Sequence, residues 1–159
     1  MIWTLSRSPA TLGRVPAAAE LERVLRGASL RVTRPRLAVL GAVYDHPHAD
    51  TNAIIGFVRE DLSGVSRQAV YDVLAALTDA GVVRRIHPPG SVARYESRVA
   101  DNHHHIVCRS CGAVADVDCA VGDAPCLTPS NDHGYAVDEA EVIYHGLCPA
   151  CSAAGSNLI

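Results

Sequence analysis

The chain has 159 residues, 48% hydrophobic and 19% charged, which suits one ordinary globular domain or two small ones and excludes a disordered chain. Residues 1–16, MIWTLSRSPATLGRVP, lack the apolar core of a signal peptide, and no apolar run could span a bilayer, so a cytoplasmic protein is expected. The net charge of −3 is unevenly spread: residues 1–100 carry 13 Arg against 9 acids, and residues 101–159 carry one Arg against 8 acids. A basic half joined to an acidic, His- and Cys-rich half points to a nucleic-acid binder joined to a sensor or assembly module. The alternative is a two-part protein with no nucleic-acid partner.

Residues 1–15, rich in Ser, Thr, Pro and Gly, read as a flexible leader. AAAELERVLRGAS (17–29) places Leu21, Val24, Leu25 and Ala28 at helical spacing and ends between Gly27 and Ser29. Thr33 is placed to cap a second helix, with Pro35 tolerated in its first turn and Pro47 as its stop. Leu37, Val39, Leu40, Val43 and Tyr44 supply its apolar side. Asp50 or Thr51 can cap a third helix whose Ile54, Ile55 and Val58 face inward, and Gly64 then breaks the chain.

Ser66 can cap a fourth helix, RQAVYDVLAALTDA (67–80). Its Ala69, Val70, Val73, Leu74 and Leu77 form one stripe, leaving Arg67, Gln68 and Tyr71 outside, and Gly81 closes it. VVRRIHPPGSVARYES (82–97) reads as two short strands around Pro88-Pro89-Gly90. Helices followed by a hairpin are the order of a winged helix-turn-helix, with the fourth helix in the recognition position. A small helical core with an incidental hairpin is the alternative. Beyond Ser97 the pattern changes to short β segments, HHHIVC, GAVADV and YAVDEAEVIYHGLC. The expected class is therefore α+β, with a winged-helix domain over 16–97, a hinge over 98–101 and a metal-binding domain over 102–155.

Cys108-Arg-Ser-Cys111 and Cys148-Pro-Ala-Cys151 each let two thiolates bind one tetrahedral ion, and four thiolates make a closed structural zinc site. The 36 residues between the pairs (112–147) exceed the usual ribbon spacing, so that segment must contribute a strand and return. Such an ion could contribute on the order of 10 kcal/mol to folding a half with little core of its own. A disulfide pair is the competing reading. Cys119 and Cys126 remain, either as small buried or loop residues or as a redox pair.

A strand through residues 103–105 would point His103 and His105 to one face and His104 to the other. With Glu96 they make a nitrogen and carboxylate set that suits Zn, Fe(II) or Mn(II) and is more labile than four thiolates. Glu96 ends the hairpin and the histidines lie beyond the boundary, so an ion tying them would turn ion binding into DNA binding. A surface histidine cluster is the plainer alternative.

Together VTRPRLAVL (32–40), HPHADTNAI (46–54), SRQAVYDVLAALTDAGVV (66–83), RYES (94–97), NHHHIVC (102–108), the CxxCG turn and GLCPAC (146–151) carry a specific resemblance. The chain resembles the ferric uptake regulator (Fur) family of metal-dependent bacterial repressors, in particular its actinobacterial FurA or CatR-like branch, whose genes often neighbour a catalase-peroxidase. The resemblance implies a winged-helix N-terminal domain, a C-terminal α/β dimerisation domain, and a homodimer that binds operator DNA when metal-loaded. It implies that Cys108, Cys111, Cys148 and Cys151 hold structural Zn2+. It further implies that His48, Glu96, His103 and His105 form a regulatory site for Fe2+, Mn2+ or Zn2+, with Asp116 standing where the family often has a Glu ligand. There are departures. The family's VYR is Val70-Tyr71-Asp72 here, and an Asp cannot take a phosphate or guanine contact. Asn102 and Ala140 stand where the histidines of a third metal site would be, and His104 where that site has an Asp.

Arg67, Gln68 and Tyr71 are candidates for base-edge and thymine-methyl contacts, and Arg34, Arg36, Arg84, Arg85 and Arg94 for phosphates. A two-fold dimer would read double-stranded operator DNA as an inverted repeat. Iron in the histidine site could react with peroxide and oxidise a ligand histidine, which resemblance to peroxide-responsive members allows. That favours control of oxidative-stress or iron-homeostasis genes, with a zinc-sensing regulator as the alternative and a thiol-based redox sensor behind it. The pair Cys148-Pro-Ala-Cys151 is similar to that of zinc deaminases, but their signature also needs His-x-Glu, which does not occur in this chain. No enzyme activity is expected.

Overall fold

The computed structural model describes residues 16–88, 90–99, 101, 103–118, 129–137 and 140–155. These fall into two compact units: residues up to Arg85 with Tyr95–Ser97, and Ile86–Arg94 with the residues from Arg98 onward. Residues 1–15, Asn102, Cys119 and Cys126 lie outside the described residues, and with them the leader and the redox pair.

In the first unit, helix α1 (Ala18–Gly27) ends within the expected Gly27–Ser29 stretch, and the backbone turns left-handed at Ser29, φ 59°. The Ser29 and Leu30 amides donate to the Arg26 and Leu25 carbonyls, closing the helix although Ser is costlier than Gly in this conformation. Helix α2 (Arg34–Asp45) starts at Thr33, whose hydroxyl accepts from the Arg36 amide. Helix α3 (Thr51–Asp61) starts at Asp50, whose carboxylate accepts from the Ala53 amide at 2.9 Å, so Asp50 and not Thr51 is the cap. Helix α4 (Arg67–Asp79) starts at Ser66, which accepts from Ala69. It ends at Gly81, φ 66°, where the Gly81 and Val82 amides return to the Thr78 and Leu77 carbonyls.

The helical stripes meet in one core. Leu25, Val39, Leu40, Val43, Ile54, Val70, Leu74 and Leu77 are fully buried, with Ile55, Val58, Val83 and Tyr95 beside them. Each such aliphatic contributes about 1.5–3 kcal/mol by leaving water, so this unit stands on its own core. A short strand absent from the sequence reading, β1 (Ala49–Asp50), joins β2 (Arg84–Ile86) and β3 (Arg94–Glu96) in a sheet ordered β1-β3-β2. Two residues carry too little periodicity for a sequence pattern to show.

The second unit is a sheet ordered β5-β4-β6, built from β4 (His103–Cys108), β5 (Val114–Asp118) and β6 (Ile143–Gly146). Strand β5 runs antiparallel and β6 parallel to β4. Of the expected strand YAVDEAEVIYHGLC, only Ile143–Gly146 is a strand among the described residues. A short helix, α5 (Pro149–Ala153), follows instead, started by Cys148 as cap and Pro149 in its first position. Among the described residues, no helix is long and apolar enough to cross a membrane.

Candidate functional site

The pairing of β4 with β6 assembles the cysteines. Cys108 stands opposite Gly146, two residues before Cys148, and the turn after β4 folds back through Gly112 at φ 71°. The four Sγ atoms lie within 4.8 Å of one another, and Cys111 and Cys148 are 3.7 Å apart. That is too far for a disulfide, which needs about 2.05 Å. It matches the edge of about 3.8 Å expected of four sulfurs held about 2.3 Å from one zinc. Backbone amides complete the cradle: Cys148 N–H points to the Cys108 sulfur at 3.3 Å and Cys151 N–H to the Cys148 sulfur at 3.4 Å.

The thiols titrate apart. Amide hydrogen bonds from Cys148, Cys111 and Ser110 pull Cys108 down to about 6. At Cys151 a Ser110 hydrogen bond opposes the change, but the Cys148 and Cys111 sulfurs push it up to about 11. Four crowded thiols cannot all ionise beside one another unless a cation takes the charge. The donor set therefore fits a structural zinc.

On the other side of β4, strand register decides the second donor set. His103 faces Asp118 and His105 faces Asp116 across the antiparallel ladder, so alternation puts both histidines on the face of Asp116. His103 Nε2 lies 3.9 Å and His105 Nε2 3.7 Å from the same Asp116 oxygen, Oδ1. The rings stand edge to face, 4.9 Å between centroids. Two imidazoles and a carboxylate converging on one point form a donor set for a divalent transition ion. Three neighbours lie outside the expected ligand set, Asp101 as a carboxylate visible in the same stretch and Glu141 and Arg98 unforeseen. Asp101 holds His103 Nδ1, Glu141 lies 3.3 Å from His105 Nδ1, and Arg98 reaches Asp101, Asp116 and Asp118. Burial opposes it, but bonds from His103 and Arg98 hold the Asp101 carboxyl below the usual carboxylate range. Position i−2 to His103 was a signal for Asp101, whereas Glu141 comes from a distant strand end. His104, on the opposite face, is buried, and its Nδ1 accepts from the Val142 amide, tying β6 down.

Within the first unit, His48 and Glu96 form a pair. His48 sits at φ 63°, uncommon for a residue with a side chain, and its amide donates to the Tyr95 carbonyl at 2.8 Å. This brings His48 Nε2 to 3.1 Å from Glu96 Oε2, with Glu96 1% exposed. The Arg84 guanidinium approaches the other Glu96 oxygen at 4.0 Å.

The helix-turn-helix presents Arg67, Gln68 and Tyr71 together on the exposed side of α4. Arg67 donates to Asn52 of α3 at 2.6 Å, and Gln68 donates to Asp72 at 2.8 Å, so both side chains are aligned by neighbours. Arg34 and Arg85 are exposed, Arg36 donates to the Arg31 carbonyl, and Arg94 donates to the Gly112 carbonyl.

The sequence model of the ferric uptake regulator family matches residues 27–145. The chain belongs to this family. It is 71% identical over 133 residues to the transcriptional regulator FurA of Mycobacterium tuberculosis, covering 84% of this chain and 90% of that protein. It is 65% identical over 142 residues to ferric uptake regulation protein 2 of Mycolicibacterium fortuitum, covering 87% and 97%. Among solved structures, the ferric uptake regulator of Vibrio cholerae, described with DNA-binding domains that rearrange, matches at 26% identity with a TM-score of 0.58, covering 80% of this chain and 98% of that one. The family match spans helices α2 to α4 of the first unit and the Cys108–Cys111 pair of the second.

Proposed function

We propose that this chain is a cytoplasmic, metal-dependent transcriptional repressor that binds operator DNA as a homodimer. The observation that carries the reading is the convergence of His103 Nε2 and His105 Nε2 on Asp116 Oδ1, separate from the four-cysteine cluster in the same unit. One unit thus holds a closed thiolate set for a permanent zinc and an open nitrogen and carboxylate set for an exchangeable ion. In this reading His48 and Glu96 of the first unit join the exchangeable site. An ion shared by both units would then favour one arrangement of the DNA-binding unit, which is how its concentration reaches the operator. Arg67, Gln68 and Tyr71 read base edges, while Arg34, Arg36, Arg84, Arg85 and Arg94 bind phosphates. The regulated set in this reading is oxidative-stress or iron-homeostasis genes, since an iron-loaded histidine site could respond to either peroxide or iron.

The test is a gel shift on the chain's own upstream region, using zinc-replete protein with and without added Fe(II), Mn(II) or Zn(II). One of these ions should tighten binding at least tenfold. Binding that is absent, or indifferent to all three ions, would sink the proposal.

A further inference from the structure

The arrangement around His103 and His105 is more specific than a pair of histidines near a carboxylate. On each ring, the nitrogen turned away from Asp116 meets a second carboxylate. Asp101 Oδ1 holds His103 Nδ1, and Glu141 Oε1 lies 3.3 Å from His105 Nδ1. On each ring, the other nitrogen, Nε2, faces Asp116 Oδ1. The carboxylates come from different places, the turn before β4 and the approach to β6, and act at different strength: Asp101 makes a hydrogen bond to His103 Nδ1, whereas Glu141 faces His105 Nδ1 as a nearby negative charge without hydrogen-bond geometry. Asp101 is itself held: its other oxygen accepts from Arg98 Nε at 2.7 Å, while the same guanidinium reaches Asp116 Oδ2 at 3.5 Å and Asp118 Oδ1 at 2.8 Å. His103 and His105 are almost fully buried, so their rings cannot choose partners from water.

We infer that Asp101 and Glu141 are positioning residues for the exchangeable metal site: they keep the Nδ1 proton on His103 and His105, so that both rings present the Nε2 lone pair beside Asp116. This rests on the metal-site reading proposed above. The chemistry is direct. A neutral imidazole carries one proton, and a carboxylate can only accept, so a carboxylate at Nδ1 holds the proton there and leaves Nε2 as the donor atom. At His103, the hydrogen bond to the Asp101 carboxylate also raises the basicity of the ligating nitrogen. Arg98 extends the device, since it fixes the Asp101 oxygen that does not touch His103 and so aims the one that does.

This makes Asp101→Asn an informative substitution. Arg98 donates only, so it would take the amide oxygen of Asn and leave the NH2 group facing His103 Nδ1. That nitrogen would then have to accept, the proton would move to Nε2, and the ligand atom would be blocked without loss of volume. Glu141→Gln tests the same logic at His105.

The measurements use full-length, zinc-replete protein. Mn(II) affinity is read by competition with a fluorescent chelator, and the protonated nitrogens of His103 and His105 are read from long-range 15N–1H correlations at pH 8 before Mn(II) is added. The expected results are Nδ1–H for both histidines in the unmodified chain, proton transfer to Nε2 of His103 in Asp101→Asn, and Mn(II) binding weakened about tenfold or more in each variant, with the zinc content unchanged. An Nε2–H form in the unmodified chain, or both variants binding within twofold of it, would overturn the inference. His105→Ala separates the two levels. If it leaves Mn(II) affinity intact, the metal-site reading itself fails. If it abolishes binding while Asp101→Asn and Glu141→Gln do not weaken it, only the positioning role fails.

Discussion

Zinc removal should unfold the second unit before the first. Within β4, β5 and β6 the buried apolar side chains are Val107 and Cys108, whereas the first unit buries fifteen in one cluster. At about 1.5–3 kcal/mol for a fully buried aliphatic, Val107 and the small Cys108 contribute only a few kcal/mol between them. They must hold β4, β5 and β6, whose 6, 5 and 4 residues each lose about 1–2 kcal/mol of backbone freedom on ordering. A four-thiolate zinc contributes on the order of 10 kcal/mol, more than that core and comparable to the whole stability of a domain. The assay is hydrogen exchange read by mass spectrometry, with and without a strong chelator, in urea too dilute to unfold the intact protein. After zinc is stripped, amides in 103–118 and 143–153 should lose nearly all protection while those of α1 to α4 keep theirs. Equal protection in stripped and loaded protein would refute the argument, because it would mean the sheet is held by contacts that do not pass through the cysteines.

Leu74, fully buried in α4, should cost about 3–5 kcal/mol when replaced by Ala, and chemical denaturation followed by helix signal should show the first unit's midpoint falling without a change in zinc content. Arg67→Ala and Tyr71→Ala should relax operator preference by about 1–3 kcal/mol at one position per half-site, measured by binding to single-base operator variants. Arg85→Ala should leave preference intact and lower the salt slope by about one, measured by binding at several salt concentrations. Cys148→Ser should abolish zinc retention and reproduce the exchange pattern of the stripped protein, as read by metal analysis and the same exchange experiment.

The helical unit was legible residue by residue because its signals are local. A stripe such as Val70, Leu74 and Leu77 repeats with the helical turn, and Thr33, Ser66 and Gly81 announce the ends through chemistry confined to a few residues. The left-handed position fell on Ser29, where the Leu30 amide returns to the Leu25 carbonyl, and not on Gly27. The sheet unit was harder. The segment 135–148 has strand-like composition, but only Ile143–Gly146 pairs with β4 among the described residues, since pairing depends on a partner distant in the chain.

By itself, the sequence determined the ligand inventory: two Cys-x-x-Cys pairs, the alternation that puts His103 and His105 on one face, and the helix-turn-helix that exposes Arg67, Gln68 and Tyr71. Spacing along one chain carries that much, because each of these features is shorter than a single element. Only the tertiary structure decided which atoms of those residues are offered. Register placed Asp116 opposite His105, the left-handed backbone at His48 brought it to Glu96, and Asp101 and Glu141 reached the Nδ1 atoms from separate parts of the unit. Which nitrogen of a histidine is available depends on what stands behind the ring, and that neighbour is chosen by folding.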